Sequence, residues 1–440
     1  MKLRPRRDRP RVLIMVENLS LARDRRLGKQ VRTLVGAEFD VTVVCRSDPG
    51  NRAVAEVHVI EYRAPRDAAS KLGFVREYGY SWLMAALAFV RVVARPGFDV
   101  LQLCGPPDIY FPFALLARAL GKPTVYDQRD PSPELYAARY GDHAGWVPRI
   151  LRVLEAASYR SAHHVVTVNG TLEDLARTRG GVPADRVTVV RNGPVLAAAS
   201  GRPTRPELRN GRAHLCCWIG AMGPQDRLDL GVRAVHHLVH VQGRTDCQFA
   251  FVGDGEAQDG AMRLTRELRV EDWVSFPGFL PTDAVFTYLA TADVGIDPAL
   301  DDMVSPVKAF EYMAFGLPIV AFDLREVRAL AGEAARYAPP GDVEHFAGLI
   351  SDLLDDPAAR RQLGRIGRRR VEESLAWEHQ ELVYVGVFDQ LLGCRAERGV
   401  RRRTGDEPRQ GPAARAPCGS LTTVSPDLRP AGDDLGRPGP

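Results

Sequence analysis

The sequence predicts an α/β protein built from two doubly wound, Rossmann-like domains that face each other across a cleft. Three observations carry this expectation. Short apolar runs alternate with helix-length segments along most of the chain, as parallel strands joined by helical crossovers require. The runs are apolar throughout rather than at every second residue, which suits strands covered on both faces. The rhythm breaks once, over residues 197–212, and then starts again.

Taken in order, residues 1–10 form a basic N-terminal arm. In the first domain, residues 11–196, the strand candidates are Val12–Val16, Val41–Cys45, Val57–Tyr62, Val100–Leu103, Thr124–Tyr126, Val165–Val168 and Val187–Val190. Segments such as Asp24–Val35, Ile109–Leu120 and Leu151–Arg160 have helical length. The longest apolar stretch, Tyr80 to Val90, is closed by Arg91 and is too short to span a bilayer. It reads as a buried helix in preference to an interfacial one. Val12–Val16 is too short for the core of a secretion signal, so a cytoplasmic protein is expected.

Residues 197–212 lack periodicity and read as a linker. The second domain, residues 213–375, repeats the rhythm with strands His214–Ile219, Cys247–Val252, Val274–Phe276, Asp293–Ile296 and Ile319–Phe322. Helices are expected at Leu228–Val241, Ala257–Leu268, Thr282–Ala290 and Pro306–Phe315, and only helices from Phe322 to about Gly393. A last helix, residues 376–393, is expected to cross back to the first domain. Residues 396–440 have almost no large apolar side chains and are expected to be disordered.

Composition agrees with this plan. A chain of 440 residues calls for two domains, and 45% apolar with 26% charged residues is a globular balance. The formal charge of +4 is mild, and a basic stripe shows only in the N-terminal arm and the tail, which argues against nucleic acid as a partner. Seven cysteines without a C-x-x-C pair read as small hydrophobes in a reducing compartment, and no metal site is implied. The adjacent pairs His163–His164 and His236–His237 each split across two faces and read as structural.

Ligands of open α/β sheets bind beyond the carboxyl ends of the strands, so the cleft is the expected site. The most informative segment runs from Asp293 to Leu324. Ser305 suits an N-cap, Pro306 the first helical position, and Gly316 with Pro318 end the helix. Lys308 and Glu311, three apart, share a face near the helix start. A helix N-terminus and a lysine suit a diphosphate, and a carboxylate one turn on suits the hydroxyls of a ribose. By themselves the two residues read more readily as a solvated ion pair than as a ligand site.

Here the chain resembles the family 4 glycosyltransferases of the GT-B fold, over roughly residues 11–392. The family helix K-x-x-E-x-M-A-x-G-x-P-I-V is present as Lys308, Glu311, Met313, Ala314, Gly316, Pro318, Ile319 and Val320. Further matches are DRR at Asp24–Arg26, PPD at Pro106–Asp108, SPELY at Ser132–Tyr136 and RNGP at Arg191–Pro194. MGPQD at Met222–Asp226, VGDG at Val252–Gly255 and FDL at Phe322–Leu324 complete the series.

The resemblance implies a retaining, metal-independent transferase that moves a sugar from a UDP- or GDP-type donor to a carbohydrate or lipid-linked acceptor, with no cofactor. Glu311 would hold the ribose, and Lys308 with the Ser305 helix end the diphosphate. The loops after Gly220, with Gly223, and after Gly253 would approach the nucleotide, and Gly278, Phe279 and Leu280 would border the base. Gly253 and Gly255 read equally as a plain strand-to-helix turn. No glycine fills the third place of a dinucleotide fingerprint, which counts against a dehydrogenase. Asn18, Arg25 and Arg26, after the first strand, would face acceptor or phosphate, a solvated face being the other reading of the two arginines. The basic arm suits contact with an anionic membrane, with an envelope or lipid-linked saccharide as acceptor.

Three departures from the family stand out. Its glycine-loop arginine and lysine fall on Ala221 and Asp226, with Arg227 as the nearest cation. The first glutamate of its E-x7-E pair falls on Met303. Its histidine–aspartate pair falls on Arg129 and Asp130, and arginine cannot act as a base. Arg129 would then clamp a sugar or phosphate oxygen, beside Asp130 and Lys308 in the catalytic group. These departures keep open an inactive GT-B-shaped protein that binds nucleotide or a partner. A GT-B-shaped epimerase is disfavoured by the K-x-x-E helix.

Overall fold

The computed structural model describes residues 9–54, 56–63, 71–95, 97–141, 145–303 and 305–393. The basic arm and the segment expected to be disordered lie outside the described residues, apart from the end of the arm.

The first half contains strands β1 (Arg11–Met15), β2 (Asp40–Arg46), β3 (Val57–Tyr62), β4 (Val100–Gly105), β5 (Thr124–Gln128), β6 (His164–Thr167) and β7 (Val187–Val189). They form one parallel sheet in the order β3-β2-β1-β4-β5-β6-β7. Its helices are α1 (Arg25–Gly36), α2 (Lys71–Ala94), α3 (Phe111–Ala119), α4 (Ser132–Tyr140), α5 (Trp146–Ser161) and α6 (Gly170–Thr178). Alternate residues separate the two faces. Val12, Ile14, Val100, Val125 and Val166 pack toward α1, while Leu13, Met15, Leu101 and Leu103 pack toward α2 and α3.

In the second half, β8 (His214–Ile219), β9 (Cys247–Val252), β10 (Val274–Gly278), β11 (Val294–Asp297), β12 (Ile319–Phe322) and β13 (Ala335–Ala338) form a parallel sheet ordered β10-β9-β8-β11-β12-β13. Helices α7 (Leu228–His236), α8 (Gln258–Glu267), α9 (Thr282–Thr291), α10 (Val307–Ala314), α11 (Arg325–Ala331), α12 (Val343–Asp355) and α13 (Pro357–Arg370) surround it. The last helix, α14 (Trp377–Leu391), packs on α1 of the first half. Trp377, Tyr384 and Phe388 join that core, and the Trp377 indole N–H donates to Thr33 over 3.0 Å.

Four details differ from the sequence reading. Strand β13 was not expected, because exposed Arg336 interrupts its apolar run. Residues 197–212 are not a bare linker. Two short helical turns, Leu196–Ala199 and Pro206–Arg209, pack on the second core, and Arg209 pairs with Asp293. Helix α10 starts at Val307 with Pro306 as its cap. Ser305 offers only its carbonyl, to the Val307 N–H over 2.7 Å, so Ser305 is not the side-chain N-cap expected. The apolar stretch within α2 is buried on one side only. Ala85, Phe89 and Val92 are covered, whereas Leu83, Leu87 and Val90 are exposed.

Both sheets reverse their strand order once, at β1/β4 and at β8/β11. Crossovers on opposite faces part at that point and leave a crevice beyond the strand ends. The residues after β8 and β11 therefore lie where a ligand of the second half would sit.

Candidate active site

Helix α10 is fixed at the β8/β11 crevice by its buried face. The Tyr312 hydroxyl accepts from the Ile219 N–H over 3.2 Å and donates to the Ile296 carbonyl over 3.1 Å. Gly295 makes this approach possible, since a Cβ there would lie 2.5 Å from the Tyr312 ring. Phe310, Met313 and Ala314 are buried with it. This leaves Glu311 on the side toward the first half, while Lys308 stays against the second.

Lys308 extends beneath the glycine loop that follows β8. Its Nζ donates to Asp226 over 2.9 Å and to Asp297, the last residue of β11, over 3.3 Å, and lies over the Trp218 ring. Burial alone would lower the lysine pKa, but Asp297 and Asp226 reverse this and hold it above its usual value. The second Asp226 oxygen accepts from the Gly223 N–H over 3.1 Å, so one carboxylate fixes both the loop and the lysine. Where the family resemblance puts a lysine, this chain has the acid that holds Lys308. Arg227 is turned to Asp229 in a two-bond pair of 2.9 Å each.

The loops after β8 and β9 touch through their backbones. Gly253 has φ +138°, and a Cβ on it would lie 1.8 Å from the Gly220 carbonyl oxygen. Its missing side chain thus serves loop-to-loop packing. Gly253 donates to the carbonyl of Gly278, after which Phe279 is strongly exposed and Leu280 rests against the core.

Glu311 faces the opposite half. Its Oε1 accepts from Arg25 of α1 over 3.0 Å, while Oε2 is buried without a hydrogen-bond partner among the described residues. Burial raises the Glu311 pKa above the ordinary carboxylate range, against the pull of Arg25 and Lys29. Arg25 also donates to Thr282 over 3.2 Å. A second crossing lies at the start of α6, where the Thr171 N–H and hydroxyl both donate to Glu326 over 2.7 Å.

Asn18 is exposed after β1, and no described bond ties it to the other site residues. Arg26 and Arg129 do not face the cleft as expected. Arg26 is buried, donating to Asp127 over 2.8 Å and to the Val190 carbonyl over 2.8 Å. Arg129 donates to Asp127 over 3.1 Å, to Cys104 over 3.3 Å, and to Asp24, the cap of α1. Two cations thus neutralise the fully buried Asp127, whose carboxyl is lowered to about 2: burial opposes this, and Arg26 and Arg129 outweigh it. The arginine at the family's histidine position is a structural tie, because its neighbours are acids that a neutral imidazole would not satisfy. Asp130 is half-buried. Burial raises its pKa, Arg129 and Arg26 oppose this, and Asp301 of the second half adds to it.

Between the halves lies a cavity of about 570 Å³, lined by Glu134, Pro224, Gln225, Arg227, Leu300, Asp301 and Met303. Glu134 belongs to α4, the SPELY helix. That helix is braced from below by a buried network: Arg179 holds Glu134 over 2.7 Å and Glu155 over 2.7 Å, and Ser132 donates to buried Asp108 over 2.5 Å. Sequence reasoning missed Asp226 and Asp297 as partners of Lys308, and Glu326 as a second crossing point. The unexpected acid at Asp226 was the one available signal. Among the described residues, no group of histidine, cysteine, aspartate and glutamate side chains is arranged to hold a metal ion.

Comparison with known proteins agrees with this geometry. Residues 24–193 match the model of the glycosyl transferase 4-like domain, and residues 213–356 match that of the glycosyl transferases group 1. Over 171 residues the chain is 33% identical to the MMP alpha-(1->4)-mannosyltransferase of Mycolicibacterium hassiacum, covering 37% of this chain and 41% of that protein. Over 397 residues it is 26% identical to glycogen synthase of Mycobacterium tuberculosis, covering 86% and 93%. The solved structure of HepE from Anabaena, in complex with UDP and glucose, superposes with a TM-score of 0.67 at 14% identity, covering 87% of this chain and 100% of that one, a likeness of fold. With two parallel-sheet halves in the GT-B arrangement and each half matched in order, the chain belongs to the family 4 glycosyltransferases, which draw on a nucleotide-sugar donor.

Proposed function

We propose that this chain transfers a hexose from a UDP- or GDP-sugar, with retention of configuration, to a carbohydrate or lipid-linked acceptor. Residues 213–375 act as the donor domain and residues 11–196 as the acceptor domain. The observation that carries the reading is the convergence of Lys308, Glu311 and the glycine loop on the β8/β11 crevice. In this reading the diphosphate lies against Lys308 and the Ser305–Lys308 turn. The ribose hydroxyls donate to Glu311, whose Oε2 is a buried acceptor without a partner among the described residues. Gly220, Gly223 and Gly253 flank the phosphates, and Gly278, Phe279 and Leu280 border the base. The UDP complex of HepE supports a nucleotide of this class.

The acceptor enters from the side of Asn18, Arg25 and Asp130, through the cavity beside Glu134 and Asp301. Its oxygen attacks the anomeric carbon on the face from which the diphosphate departs. The bond to the leaving phosphate oxygen breaks, and that oxygen takes the acceptor proton, so the protein orients the substrates and stabilises charge. Such chemistry needs no histidine base, which accommodates arginine at position 129. Lys308 and the helix start supply the positive charge, and transfer is expected to persist in chelator. The enzyme acts in the cytoplasm, with peripheral contact to a membrane.

The test is calorimetric titration with UDP, GDP and ADP, followed by assay of nucleoside diphosphate release from the matching sugars. Binding of UDP or GDP with release in the presence of saccharide acceptors is expected. Failure to bind any of the three would overturn the assignment.

A further inference from the structure

The helices on one face of the first sheet present an apolar and basic surface that nothing in the chain covers among the described residues. Leu13, Met15, Leu101 and Leu103 point to this face, and α2 and α3 lie over them in one core. Helix α5 continues the layer, with the Ser158 hydroxyl donating to the Asp108 carbonyl at the start of α3 and Tyr159 set edge-on to Tyr126.

The outer sides of these helices are unusually apolar. On α2, Tyr80, Leu83, Leu87 and Val90 are exposed at spacings of three and four, so they form one stripe. Trp146, Ile150 and Val153 do the same on α5, and Leu115 and Leu116 stand out on α3. Leu87 is 58% exposed and Trp146 67%, values far from those of a half-covered core edge.

Charge gives this face its partner. Arg91, Arg95, Arg118, Arg149, Arg152 and Arg160 are exposed on or beside the same helices, and none of them has an ion pair among the described residues. From Gly79 to the end of α2, and through α3 and α5, the sole acid is Glu155, which is fully buried. By contrast, the exposed Leu382 and Val383 of α14 lie among Glu378, Glu381 and Asp389. A second copy of the chain docked on this face by a twofold axis would set the arginines against each other.

We propose that the α2–α3–α5 face seats on an anionic lipid bilayer. The apolar stripes enter the boundary between headgroups and acyl chains, and the arginines pair with lipid phosphates. No described helix is long and apolar enough to cross a membrane, so this is docking on the surface. Helices in parallel crossovers run against their strands, so all three begin at the edge of the sheet where the cleft opens. The bilayer would thereby present a lipid-linked acceptor to the cleft. The inference deepens the acceptor reading above and moves the contact from the basic arm to a folded surface.

The experiment is sedimentation of the full chain with vesicles of phosphatidylcholine alone, or mixed with phosphatidylglycerol. Binding to the anionic vesicles is expected, with little on the neutral ones. Leu87→Glu with Val153→Glu should reduce it by roughly tenfold or more, and each of Arg91→Glu and Arg149→Glu by about fivefold. Leu382→Glu should bind as the natural chain does, and the milder pair Leu87→Gln with Val153→Gln should fall between. UDP and GDP titrations without vesicles should be unchanged in every variant, which separates this inference from the donor assignment. Absence of vesicle binding, equal binding to neutral vesicles, or binding untouched by the substitutions on the face would overturn it. So would a dimer that the same substitutions split, since a second copy would then be the occupant.

Discussion

Arg25 of the first half donates to Glu311 of the second over 3.0 Å, so the carboxylate read as the ribose acceptor is already held by a cation from across the cleft. Arg25 is more than half exposed, and such a pair contributes little to stability. A ribose can therefore displace it at small cost. Glu311→Ala is expected to weaken nucleoside diphosphate binding by about 1.5–3 kcal/mol, the scale of hydrogen bonds to charged groups, and Glu311→Gln by less. Arg25→Ala should leave binding unchanged or tighten it. Calorimetry on the three variants checks this, and wild-type affinity in both Glu311 variants would remove the residue from the site.

Lys308 is shared by two carboxylates, of which Asp297 is almost fully buried. Removing the lysine leaves both acids without their cation, so Lys308→Ala should cost about 3–5 kcal/mol of stability as well as donor binding. Asp226→Asn leaves Lys308 with one acid and more charge for a diphosphate. It is expected to tighten nucleoside diphosphate binding, and weaker binding in that variant would show that Asp226 serves the donor through the Gly223 loop instead.

Arg129 separates a structural role from a catalytic one. Its guanidinium joins Asp24, Asp127 and Cys104, and its side chain is nearly buried. Arg129→Ala should destabilise the fold by roughly 3–5 kcal/mol, because Asp127 keeps only Arg26 as a cation. Denaturant unfolding reads this directly. Turnover of the fraction that remains folded should keep the wild-type KM for the donor, and a raised KM without loss of stability would return Arg129 to the substrate.

Beneath α4, burial raises the Glu155 carboxyl to about 7, with the nearby Asp108 adding and Arg179 opposing. The folded state therefore holds a proton that the unfolded chain has released above its ordinary value near 4.3. Stability from this group is complete below that ordinary value and is lost as pH rises through about 7. Glu155→Gln should flatten the stability profile over that interval, as chemical denaturation at a series of pH values would record. An unchanged slope would mean that Glu155 stays ionised in the fold.

The sequence by itself determined the two-sheet α/β plan, since continuous apolar runs and helical spacing are local properties that survive without coordinates. It determined the helix bearing Lys308 and Glu311 for the same reason: Gly316 and Pro318 end it, and Phe310 and Met313 fix its buried side. Tertiary structure decided the partners. That Asp226 holds Lys308, 82 residues away, depends on β8 and β11 lying side by side. Arg25 and Arg26 are neighbours in sequence, yet one reaches Glu311 and the other is buried on Asp127, because successive helical side chains point in different directions. Arg129 could be read as a clamp until Asp24 and Asp127 were seen around it. The exposure of Leu83, Leu87 and Val90 on α2 was likewise undecided, because an apolar stripe in sequence does not state what lies against it; the fold covers Ala85, Phe89 and Val92 and leaves the opposite side bare.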